Sequence, residues 1–137
     1  MLKRYLFVLP MLLLISPGQA DDVLDELSAR SHVPVGELED ILADCETTQM
    51  AMNLCAFYDF VEADMNLEKI VQDNAEGMSK TETKAYLDEI AAWRSEAEGE
   101  CNAAADEEAE GGSMRPMVYS YCMQEKLDQR ATEEVEG

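Results

Sequence analysis

Residues 48–70 read TQMAMNLCAFYDFVEADMNLEKI. Apolar side chains recur at Met50, Leu54, Phe57, Val61, Met65 and Ile70, in steps of three to five residues. That is the period of a helix with one face turned inward, not the alternation of a strand. Cys55 and Tyr58 widen the stripe on one side. Thr48 stands just before it, where its side chain can cap the free amides of the first turn. The pattern fades at Asn74 to Gly77, and Gly77 suits a C-terminal stop.

A second long helix follows. Ser79 or Thr81 can cap it, and Glu82 lies three residues after Ser79, as a capping box requires. Tyr86, Leu87, Ile90, Trp93 and Ala97 form its stripe, which reaches Cys101. The helix then runs through alanine and glutamate to Glu110 and stops at Gly111-Gly112. Ser113 is placed to cap a third helix, with Pro116 tolerated in the first turn, where amides lack an intrahelical partner. Met117, Val118, Tyr121, Cys122 and Leu127 are expected to point inward. Upstream, Asp22 to Ala29 and Val35 to Ala43 read as two short helices around a turn at Ser31 to Pro34. No alternating run or Asn-Gly hairpin suggests a strand. The expected fold is all-α: a small antiparallel bundle of three main helices plus short N-terminal helices.

The amino terminus speaks to compartment. Lys3 and Arg4 precede an apolar run from Tyr5 to Ile15, and Gly18-Gln19-Ala20 offers small residues at a cleavage site. The run is roughly half the 20 residues that a membrane span needs. Residues 1–20 are therefore expected to be a signal peptide cut after Ala20, 21–131 a single helical domain, and 132–137 a disordered acidic tail. No cysteine follows the run closely enough to anchor a lipid. The expected location is periplasmic or secreted, with no membrane insertion after cleavage.

Charge sorts the partners. The chain holds 30 acidic and 10 basic residues, a net charge of −20. Loss of Lys3 and Arg4 with the leader would leave 30 acids against 8 bases, a net of −22. Such a surface repels nucleic acid and anionic membrane and attracts cations. The short helices before Asp44 superficially resemble a helix-turn-helix, but Glu37, Glu39 and Asp40 would face phosphate there.

Four cysteines in an exported chain read as two disulfides. Cys55 and Cys101 each lie 23 residues from position 78, so an antiparallel hairpin of the two long helices sets them level. That favours Cys55–Cys101, worth roughly 4 kcal/mol in chain entropy, and leaves Cys45 with Cys122. The competing scheme joins Cys101 to Cys122 across a turn near residue 111, and Cys45 to Cys55. Spacing leaves both open.

Chemistry is thinly represented. His32 is the only histidine and has no nucleophile pattern around it. No C-x-x-C occurs, which argues against thiol redox work and a zinc site. The acidic runs Glu96-Glu98-Glu100 and Asp106-Glu107-Glu108-Glu110 lack a calcium loop and read as solvated surface. Met50 with Met52, and Met114 with Met117, suit core packing better than copper. No catalytic residue, metal or cofactor is expected. The segment Gly111-Gly112-Ser113-Met114-Arg115 is helix punctuation that can also serve as a protruding partner-binding loop, with Gly111, Gly112, Ser113 and Arg115 as candidate contacts.

An ordered set of residues resembles a known family. Asp44-Cys45, Thr48-Gln49, Met52-Asn53, Cys55-Ala56, Tyr58 and Ala63-Asp64 are followed by Trp93, Cys101, Gly111-Gly112-Ser113, Cys122 and Arg130. Over about residues 44–130 this is similar to the LprI-type lysozyme-inhibitor family. The chain departs from it at Leu67 to Val71, where the family often has Leu-Asn-x-x-Tyr. It departs again at Glu96-Ala97, where an aromatic and an arginine are common. The resemblance implies an exported, four-cysteine helical protein that binds a cationic glycosidase such as lysozyme and blocks its cleft. The alternatives are a helical interaction module for another envelope partner, or a metal-binding protein.

Overall fold

The computed structural model describes residues 18–137. Five helices follow one another: α1 (Gly18–Ser31), α2 (Val35–Leu42), α3 (Gln49–Ala75), α4 (Lys80–Ala109) and α5 (Arg115–Glu136). No strand occurs among the described residues. The fold is the all-α bundle expected, held by two disulfides. The body of the expected leader, residues 1–17, lies outside the described residues, and α1 already includes the expected cut after Ala20.

Local chemistry fixes most helix ends. Thr48 caps α3, its side-chain oxygen accepting from the Ala51 amide at 3.0 Å. Ser79 and Glu82 form the reciprocal capping box at the start of α4. The α4 stop is left-handed at Glu110 (φ 44°) and Gly111 (φ 72°). Gly77 ends α3 without a left-handed φ, and Ser113 does not cap α5. Met114 occupies that N-cap position with no side-chain bond, while Pro116 sits in the first turn. Helix α5 also continues through Glu136, so residues 132–136 of the tail expected to be disordered are helical.

Packing explains the main correction. Helix α5 lies against both α3 and α4, whereas α3 and α4 scarcely touch each other. The expected α3–α4 seam is thus occupied by α5. One core joins these three helices through Ala63, Leu67, Val71, Ile90, Ala97, Met123 and Leu127. A second joins α1 and α2 to the other face of α3 through Val23, Leu27, Leu38, Leu54 and Val61.

The disulfides follow from this arrangement. Cys101 is bonded to Cys122 (Cα–Cα 5.5 Å) and Cys45 to Cys55 (Cα–Cα 5.9 Å). The favoured Cys55–Cys101 and Cys45–Cys122 pairing is therefore overturned. Cys101 faces its level partner across the Gly111 turn, on α5. Cys45 lies in the loop before α3 and folds back onto that helix's second turn.

Candidate functional site

The Gly111 loop is built from a short series of backbone constraints. Gly111 takes a conformation that L side chains rarely adopt. A Cβ on Gly112 would meet the Ala109 carbonyl oxygen at 3.0 Å, the same oxygen that accepts from the Gly112 amide at 2.7 Å. The Arg115 amide then donates to the Gly112 oxygen at 3.1 Å, closing the turn into α5.

Side chains tie this loop to the first turn of α3. Gln49 donates to the Asn53 side-chain oxygen at 2.9 Å, which orients that amide. Asn53 in turn donates to the Ser113 carbonyl at 2.9 Å, across 60 residues of chain. Gln49, Asn53 and the Gly111–Ser113 turn, separate in sequence, are thus joined by hydrogen bonds. Arg115 is held on the other side by Asp106 (2.6 Å) and Asn102 (3.1 Å) of α4. The four candidate contacts Gly111, Gly112, Ser113 and Arg115 come together in this turn, and none is buried.

Beside the loop runs a largely apolar groove of about 520 Å3, lined by Met50, Phe57, Phe60, Pro116 and Tyr119, with Asn102 and Arg115 among its polar lining. Phe60 and Tyr119 pack edge to face, 6.0 Å between ring centroids. Burial raises the Tyr119 hydroxyl pKa, and Glu98 raises it further. Sequence reasoning missed Asn53, Asn102 and Tyr119 as neighbours of the loop, because they come from three different helices and share no local motif. Met50 and Tyr121, expected inward, are 57% and 49% exposed.

Behind the groove sits a buried carboxylate. Asp64, 7% exposed, binds Arg30 of α1 at 2.8 Å and Arg94 of α4. Glu26 also holds Arg30, at 2.7 Å. Burial opposes the Arg30 charge, but its bonds to Glu26 and Asp64 outweigh that and raise its pKa.

At the opposite end, Arg130 stacks 5.5 Å from the Trp93 ring and pairs with Glu89 (3.0 Å) and Glu134 (2.7 Å). Tyr86 donates to Glu134 at 2.6 Å. Trp93 and Arg130 therefore hold α4 to α5.

Among the described residues, no three histidine, cysteine, aspartate or glutamate side chains converge as metal ligands would. None of the described helices is long and apolar enough to cross a membrane. The exposed His32 lies in the turn between α1 and α2 with a left-handed backbone (φ 61°).

An uncharacterised protein of Rhizobium meliloti (strain 1021) is 32% identical over 105 residues, covering 66% of this chain and 75% of that protein. No solved structure matches significantly. The sequence pattern of the family described as lysozyme inhibitor LprI matches residues 43–134, from the loop before α3 almost to the end of α5. That is a family of inhibitors rather than enzymes. With most of its length so matched, the chain belongs to the LprI lysozyme-inhibitor family.

Proposed function

We propose that this protein acts outside the cytoplasm, in the periplasm or beyond, as a stoichiometric inhibitor of a cationic glycosidase of the lysozyme type. It does no chemistry of its own. Its net charge of −20 draws a basic enzyme toward it, and the loop of Gly111, Gly112, Ser113 and Arg115 then obstructs the substrate cleft. The observation that carries this reading is the bracing of that loop by Asn53 on one side and Asp106 on the other. A segment fixed before binding loses less conformational freedom on docking than a floppy one.

Lysis of bacterial cell walls by hen lysozyme tests this reading. The rate should fall in proportion to added protein, reach its minimum near one equivalent, and recover as salt is raised. Undiminished lysis at low ionic strength with excess protein would remove the lysozyme assignment.

A further inference from the structure

The apolar groove beside the loop has no role in a mechanism that consists only of the loop entering a cleft. Met50, Phe57, Phe60, Pro116 and Tyr119 on α3 and α5 give it most of its apolar lining, and Val33 of the α1–α2 turn and Asn102 of α4 also border it. Met50 is 57% exposed at one wall, and Met114, next to the groove-lining Arg115, is 50% exposed. Exposed methionines beside aromatic rings make a polarizable surface that adapts to an incoming apolar group.

The electrostatics of the same end are lopsided. Helix α4 closes on Asp106, Glu107, Glu108 and Glu110, with no basic residue in its last turn. A helix C-terminus already carries partial negative charge, so acids there meet an unfavourable field. Among the described residues, Asp106 pairs with Arg115, while Glu107, Glu108 and Glu110 are exposed and form no ion pair. The groove therefore has a largely apolar lining whose one charged member, Arg115, is neutralised by Asp106, while the acids that follow Asp106 at the end of α4 stay unpaired among the described residues. A second copy of this chain would add another net charge of −20, and an anionic membrane would be repelled likewise. The fitting occupant is a basic protein segment that carries one large apolar side chain.

We propose that this groove is an anchor pocket: a leucine-sized or aromatic side chain of the partner, flanked by lysine or arginine, seats against Met50 and Tyr119 while its cations meet the acidic end of α4. This deepens the docking reading above and rests on it, because loop and groove share one end of the bundle. Docking is then reciprocal, with a loop offered and a side chain received. Anchors of this kind, central and desolvated, dominate binding energy in protein interfaces.

Two short lysine-rich peptides, identical except for a central leucine or serine, serve as probes against the full chain. The leucine peptide should bind about tenfold more tightly, the scale expected for burying one aliphatic side chain. Met50→Ser, at an exposed position, should erase that difference and leave the circular dichroism unchanged. In protein carrying 13C-methyl methionine, the Met50 signal should move on titration and that of the fully buried Met123 should not. Equal affinity for the two peptides would overturn the proposal, as would a preference that Met50→Ser leaves intact. A dimer in sedimentation that Met50→Ser dissolves would assign the groove to a second copy and overturn it too. Wild-type protein that discriminates the peptides but fails to slow lysozyme would remove the lysozyme assignment and keep the groove. Inhibition without discrimination would remove the groove alone.

Discussion

Asp64 ties α1 and α4 to α3 through charge. Its carboxylate lies at the meeting of α1, α3 and α4 and neutralises two arginines, each about one-third exposed on its side chain. Removing it would leave Arg30 with Glu26 alone and Arg94 with no carboxylate among the described residues. Breaking a fully buried pair costs about 3–5 kcal/mol. The partial exposure of both arginines lowers the expectation for Asp64→Asn to about 2 kcal/mol. Urea unfolding of the variant measures this, and a loss under about 0.5 kcal/mol would mean that the carboxylate does not hold the helices together. Sequence alone marks Asp64 only through its family resemblance. Its partners stand 34 and 30 residues away, and no periodicity joins positions so distant. Met50, Leu87 and Tyr121 fail in the opposite sense. Each continues an apolar stripe at the right period, yet each is exposed.

Helices were more legible than their arrangement. Apolar period, the Thr48 cap, the Ser79–Glu82 box and the Gly111 stop are local signals, and each marks the structure where the sequence puts it. The seating of α5 against both long helices is not local. The core that seats it includes the buried alanines Ala63, Ala97 and Ala131. Alanine adds little to an apolar pattern, but its small side chain lets helices approach closely. Reading α3 and α4 as a tight pair therefore led to the wrong disulfides. The observed bridges close loops of 10 and 21 residues, each worth about 3 kcal/mol in chain entropy. They differ in surroundings, since Cys101 is fully buried in the α3–α4–α5 core and Cys45 is exposed. Replacing Cys101 and Cys122 together by alanine should cost more than replacing Cys45 and Cys55, by about 1 kcal/mol, because the first change also removes core contacts. Unfolding midpoints of the two double variants measure the order. Equal losses would place both bridges in the same environment.

For the molecule as a whole, the features that the proposed docking would use lie at one end. The left-handed Glu110 and Gly111, the Asn53–Ser113 tie, the apolar groove and the acidic close of α4 are neighbours there. The Trp93–Arg130 stack and the Tyr86–Glu134 bond fasten the opposite end. Sequence gave the charge and the loop, since both are written in consecutive residues. The groove was hidden, because its lining comes mainly from α3 and α5, with Val33 and Asn102 from elsewhere in the chain, and exists only once those segments pack. A rigid anionic body should capture a basic partner by steering and keep it by contact. Those two stages respond differently to salt: association slows steeply with ionic strength, and dissociation changes little. Stopped-flow mixing of the intact protein with hen lysozyme over a range of sodium chloride tests this most directly. The association rate constant should fall about tenfold or more between low and physiological salt, with a nearly constant dissociation rate. No complex at low salt, or an association rate indifferent to salt, would contradict it.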